Sequence, residues 1–295
     1  MAIPPKELDY HYSPSRWSHR MGSDEVIEAH INTVTQASRE ATWLLNCDGE
    51  ISYGSGPLQK LDIFTAKNAQ IKGVPIFVFI HGGYWHMMGR AKSSFLAPPL
   101  AKAGSTVVIV GYDLAPAVTM DKIVSEIKQA IRFVLKLAKE RQSSGVYLCG
   151  HSAGAHLAAV MLACEFSDDD AFDSEIIKGA FLVSGVYDLR PLVQTTVNEP
   201  LKMTENDAWR LSPFSFVGEI AAQSRQRDIL FAVAEYDSPE FRRQSAEMEK
   251  ELRSRGVKTR FIDVPDTDHF DVIEKLKKED YSLTKEMIRL MHLSK

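Results

Sequence analysis

The chain has 295 residues, 44% of them hydrophobic and 25% charged, with 17 glycines and 13 prolines, which excludes disordered, collagen-like and coiled-coil architectures. Lys and Arg number 35 against 39 Asp and Glu, a formal net charge of -4, so no bulk field draws the chain to phosphate backbones or anionic lipid. Neither nucleic acid nor a membrane is an expected partner.

Cys47, Cys149 and Cys164 are an odd number in a long chain, and two of them lie in apolar runs, which fits reduced thiols better than a disulfide framework. The first ten residues hold no apolar leader segment. No apolar stretch, Val74 to Ile80 included, comes near the roughly 20 residues that a spanning helix requires. A cytosolic protein is expected. The length permits two domains or one large α/β domain, and since no linker breaks the pattern, a single domain over 1–295 is expected.

In chain order, residues 1 to about 45 carry an amphipathic stretch around Val26–Leu45. Short runs that are apolar throughout follow at Ile76–Ile80, Val107–Val110, Val146–Cys149, Ala180–Val183 and Ile229–Ala234. Continuous rather than alternating apolar runs mark strands covered on both faces, so the fold class is α/β, with a mostly parallel central sheet and helices on both sides. Between the second and third runs, Ile123, Ile127, Ile131 and Val134 recur at helical spacing, with Asp121, Lys128 and Arg132 on the polar side. From Ala153 to Cys164 the sequence is apolar nearly all round, as a buried central helix should be. Ser238-Pro239-Glu240 reads as an N-cap, a first-turn proline and a first-turn acid, launching a helix towards Arg253. A last strand near Thr259–Val264 and a C-terminal helix complete the alternation. Segments 1–45 and about 185–227 stand outside it and are candidate lids or caps. Asp168–Asp170 lacks the spaced ligands and glycine of a calcium loop and reads as a solvated turn.

The strongest chemical signal is Gly150-His151-Ser152-Ala153-Gly154, a G-x-S-x-G between an apolar strand and an apolar helix. Such a strand-to-helix turn forces strained angles on its central serine, while the flanking glycines let strand and helix pass closely. A serine hydroxyl is a poor nucleophile at neutral pH and needs a histidine base oriented by a carboxylate. In chain order serine, acid, histidine, the candidates are Ser152, Asp237 after the fifth run and His269 after the last strand. Of nine histidines only His292 also follows the acid, near the chain end; Asp266 and Asp268 are rivals to Asp237. The amide of Ala153, with those of Gly82 and Gly83 in His81-Gly82-Gly83-Tyr84-Trp85 after the first run, would form the oxyanion hole, and the His81 ring would brace that loop. Tyr84, Trp85 and Tyr187 fall on loops at the expected site rim and could line a substrate pocket. His151 and His156 are five apart with no adjacent glutamate, which argues against zinc, and Gly54-Ser55-Gly56 lacks the rest of a phosphate loop. No metal or other cofactor is expected.

With these residues in view, the chain resembles the hormone-sensitive-lipase-like branch of the α/β hydrolases, and within it the animal kynurenine formamidases. The resemblance rests on Tyr12–Trp17, on His81–Trp85, on Tyr147–His156, on Ser184–Leu189, on Asp237–Phe241 and on Asp268–Phe270. Tyr84 stands where the wider branch has a third glycine. The resemblance implies a cytosolic, metal-independent enzyme that hydrolyses N-formyl-L-kynurenine to L-kynurenine and formate through Ser152, His269 and Asp237, with a tight acyl side and a roomy aromatic side. A general short-chain carboxylesterase is the nearest alternative, and a catalytically inactive hydrolase fold serving as a receptor is the alternative of another class. The sequence leaves a homodimer open.

Overall fold

The computed structural model describes residues 3–166 and 174–293. The acidic turn Asp168–Asp170 lies outside the described residues. Eight strands, β1 (Asn46–Ser52), β2 (Lys60–Thr65), β3 (Ile76–Ile80), β4 (Thr106–Val110), β5 (Val146–His151), β6 (Ile177–Val183), β7 (Asp228–Tyr236) and β8 (Lys258–Asp268), form one sheet in the order β1-β2-β4-β3-β5-β6-β7-β8. β3 to β8 pair in parallel, whereas β1 and β2 join antiparallel at one edge.

The five apolar runs are the inner strands β3 to β7. β3 shows why its run is apolar throughout: Ile76, Val78 and Ile80 enter one core, and Phe77 and Phe79 enter a second core on the opposite face. The first core is closed by the helices Met120–Glu140, Ala153–Ala163 and Pro239–Ser254; the second is closed by Ser23–Leu44, Ala97–Lys102 and Ser282–Leu290. Ile123, Ile127, Ile131 and Val134 are fully buried, each contributing about 2 kcal/mol by leaving water. Thr119 caps that helix, its hydroxyl accepting from the Lys122 amide, and Ser238 caps Pro239–Ser254 in the same way through Phe241.

The edge strands escape a search for apolar runs for physical reasons. β1 is exposed along nearly its whole length and holds to the sheet through its ladder with β2. β2 is buried but carries Asp62, which accepts from the Glu50 amide and pairs with Arg90. β8 extends beyond the expected Thr259–Val264 because, as the other edge, most of its residues face solvent. No described helix is long and apolar enough to cross a membrane.

His156, on the central helix, fastens the two halves of the first core. Its Nδ1 accepts from Trp85 Nε1 at 3.2 Å, and its Nε2–H donates to the Leu211 carbonyl at 2.8 Å. Burial pushes this ring down to about 4, so the folded chain holds it neutral while an unfolded chain takes up a proton below about 6.5. The stability it contributes is present at neutral pH and lost as pH falls through that window. The thermal unfolding midpoint should therefore drop between about pH 7 and 4.5, and in His156→Gln, starting from a lower midpoint, the drop over the same interval should be smaller; an unchanged drop would show that this ring does not contribute.

Candidate active site

β5 delivers Ser152 to the turn before the helix Ala153–Ala163, and the crossing is as tight as the sequence pattern requires. A Cβ on Gly150 would lie 2.1 Å from the Gly154 carbonyl oxygen, and one on Gly154 would lie 2.0 Å from that of Ile80 at the end of β3. Ser152 itself has φ 56 and ψ -121, a conformation costly for a residue with a side chain. Its amide is anchored to the Val183 carbonyl at 2.9 Å.

Asp237 and His269 follow directly on the ends of β7 and β8, which lie beyond β6 from β5. The imidazole Nδ1–H lies 3.0 and 3.1 Å from the two Asp237 carboxylate oxygens, and both side chains are buried. That commitment leaves Nε2 as the nitrogen available to a nucleophile, and Ser152 and His269 line the same cavity. Asp237 also accepts from the Ser238 amide at 2.9 Å, which fixes the carboxylate against its helix. The Phe241 ring packs edge-on against the imidazole at 4.9 Å. On its other side the His151 Nε2–H donates to the His269 carbonyl at 2.8 Å, so the residue before the serine braces the residue bearing the histidine.

The loop after β3 approaches the same point. A Cβ on Gly82 would stand 2.7 Å from the His151 carbonyl oxygen and 3.1 Å from the Ser152 Cβ, so only glycine lets this backbone lie beside the serine. Gly83 at φ 98, Tyr84 at φ 46 and Trp85 at φ 60 turn the chain sharply. Among the described residues, none accepts a hydrogen bond from the amides of Gly82, Gly83 or Ala153, and Gly82 and Gly83 line the cavity with Ser152. His81 stacks on Tyr112 at 4.2 Å, and its Nδ1–H donates to the Gly82 carbonyl at 2.9 Å; burial pushes its ring down to about 4, so it stays neutral.

The cavity encloses about 490 Å³ and is mainly apolar, with Phe79, Phe95, Met87, Met88 and Phe270 on its walls. The N-terminal segment supplies a further wall, from Tyr12 to Ser15 and from Ile27, His30 and Ile31 on the helix Ser23–Leu44; segment 185–227 adds only Val197. Two sets of contacts bind that segment down. The Tyr12 hydroxyl donates to Glu240 at 2.9 Å and accepts from Gln244 at 2.8 Å, while its carbonyl accepts from the Tyr84 hydroxyl at 2.6 Å. Arg20 forks onto the buried Asp268 at 2.8 and 3.0 Å, and Ser18 adds a bond of 2.5 Å. Asp268 accepts as well from the Phe270 and Asp271 amides, both at 2.9 Å. Burial alone would raise its pKa, but the bonds from Arg20 and Ser18 outweigh it and hold the carboxylate far below its ordinary range.

Known proteins place this arrangement. The model of the α/β hydrolase fold matches residues 77–272. A kynurenine formamidase of Danio rerio is 45% identical over 97% of this chain and 96% of its own, and one of Salmo salar is 44% identical with the same coverage. The chain belongs to the kynurenine formamidase family of α/β hydrolases. A hyperthermophilic esterase from Pyrobaculum calidifontis, at 19% identity and full coverage of both chains, superposes with a TM-score of 0.70 and shares the fold.

Within this family member, the three expected pocket aromatics part company. Tyr84 lines the cavity, but Trp85 and Tyr187 are fully buried in the first core and do not. Trp85 is turned inward by its bond to His156, and Tyr187 is held by Gln244 accepting from its amide at 2.7 Å. Their loops reach the rim while their rings point into the core, a difference that residue type does not reveal. Asp268, a rival acid by sequence, is spent on Arg20 and the loop amides, and Asp266 is exposed. His151 and His156 bond to different partners, and no cluster of three metal-ligating side chains occurs among the described residues. The sequence marks segment 1–45 as a candidate lid or cap and Tyr12–Trp17 as a motif within it, but singles out neither Lys92 nor the Arg20–Asp268 pair.

Removing Arg20 would leave Asp268 buried with its charge poorly compensated beside His269. Arg20→Ala should lower unfolding free energy by about 3 kcal/mol and reduce turnover, with Arg20→Lys intermediate in both, as read by denaturant unfolding and initial rates; wild-type turnover in Arg20→Ala would show that this pair does not position the histidine loop.

Proposed function

We propose that the chain hydrolyses N-formyl-L-kynurenine to L-kynurenine and formate through a formyl-serine intermediate, with Ser152 as nucleophile, His269 as base and then acid, and Asp237 as the group that orients it. The observation that carries this reading is the shared cavity of Ser152 and an imidazole whose Nδ1 is held by a buried carboxylate. The relatives named kynurenine formamidase, matched over nearly their whole length, support the choice of a formamide as substrate.

Chemically, Nε2 of His269 removes the Ser152 proton as Oγ attacks the formyl carbon. The carbonyl oxygen becomes negative and accepts from the amides of Ala153, Gly82 and Gly83, donors fixed before the charge appears. Collapse of the tetrahedral adduct breaks the carbon–nitrogen bond, and the imidazolium returns the proton to the departing arylamine. Water, deprotonated by the same nitrogen, then attacks the formyl ester and releases formate and free serine. The close approach of the Gly82 backbone to Ser152 suits the smallest acyl group, and the apolar walls suit the aryl ring. The three cysteines are free, in keeping with a reducing cytosol.

Ser152→Ala and His269→Ala should each cut turnover on the order of a thousandfold or more while leaving the melting temperature near wild type; near-normal turnover in either would remove that residue from the mechanism. A carboxylesterase could use the same groups, so substrates must decide. The specificity constant for N-formyl-L-kynurenine should exceed that for a short-chain aryl ester, and a preference for the ester by orders of magnitude would make the protein an esterase.

A further inference from the structure

Lys92 belongs to a short turn of helix at Arg90–Lys92 that packs against the helix Ser23–Leu44, and its side chain lines the catalytic cavity beside Ser93. No Asp or Glu lines that cavity. The neighbouring cation, Arg90, is spent on Asp62 and Glu50, whereas Lys92 has no acidic partner among the described residues. Glu274, behind His30 in the same wall, is covered by His30 at 2.8 Å and by Arg20 at 3.5 Å. His81 and His151 are held neutral by burial and add no charge. A half-buried lysine on the wall of an apolar cavity that no carboxylate lines favours an anionic ligand, because a carboxylate there can accept a charge-assisted hydrogen bond from the ammonium.

We propose that Lys92 is the substrate-carboxylate site of this enzyme, selecting aryl formamides that carry a free carboxylate over neutral formamides and esters. The inference rests on the reading that N-formyl-L-kynurenine is the substrate, and it adds the group that recognises the amino-acid end. Lys92 takes no part in bond making; it binds the end of the substrate remote from the formyl group, so its loss acts on kcat/KM for acids.

The test compares kcat/KM for N-formyl-L-kynurenine and for its methyl ester, which lacks that negative charge and carries one added methyl group. The wild-type enzyme should prefer the acid by about ten- to a hundredfold. Lys92→Met should collapse that ratio to near one, and Lys92→Arg should keep most of it. An unchanged ratio in Lys92→Met, or a ratio lost equally in Lys92→Arg, overturns the inference while leaving the proposed function intact. If the wild-type enzyme hydrolyses neither compound, the substrate assignment fails and this inference falls with it, an outcome visible before any variant is made. If it hydrolyses both equally well, the inference alone is overturned. Circular dichroism melting of each variant separates loss of recognition from loss of fold.

Discussion

The structure depends on the near-contact of three backbones at one point: the end of β3, the end of β5 and the first turn of the helix that follows Ser152. The Ile80 carbonyl occupies the space a side chain at position 154 would need, and the Gly154 carbonyl occupies that of position 150. No other residue type fits either place. Everything chemical follows from this crowding. It goes with the unusual backbone angles of Ser152, which a strand-to-helix turn this tight imposes on its central residue. The parallel sheet makes the crowding possible, since β3, β5, β7 and β8 all end at the same edge and bring their following loops together.

Around that point several buried polar groups outside the serine, histidine and aspartate hold loops in place. His81 braces the Gly82 carbonyl, His151 braces the His269 carbonyl, and Asp268 ties the amides that follow His269 to Arg20. Each bond fixes a main-chain atom within a residue or two of a group that would touch the reacting carbonyl. For the proposed mechanism this is what preorganisation requires: the donors would stand in place before a negative charge develops, held by groups that do not themselves titrate near neutral pH. The neutral, buried rings of His81 and His151 meet that condition.

Much of this was legible in the sequence, because the inner strands and the elbow are constrained by local chemistry. A strand buried on both faces must be apolar, and a helix launched from a tight turn must begin with glycines, so β3 to β7 and Gly150–Gly154 announce themselves. The order of Ser152, Asp237 and His269 along the chain matched the order of strand ends that present them. What stayed hidden depends on long-range geometry. β1 is an exposed ladder without an apolar run. Trp85 and Tyr187 lie on rim loops, yet their rings turn inward for partners, His156 and Gln244, that sequence adjacency does not supply. Arg20 and Asp268 meet across 248 positions, a distance no local pattern bridges.

That same span has a consequence for when the protein becomes competent. The walls around the serine are drawn from Tyr12 at one end of the chain to Ile273 near the other. A nascent polypeptide emerging from the ribosome carries the elbow well before the imidazole of His269 and the wall residues Phe270 and Ile273. Its early residues dock on the segment around Ser94 and on Tyr84, but the anchors at Glu240, Gln244 and Asp268 come only later. A complete cavity thereby waits until His269 and Ile273 have been made, and a chain lacking either wall forfeits part of the enclosure.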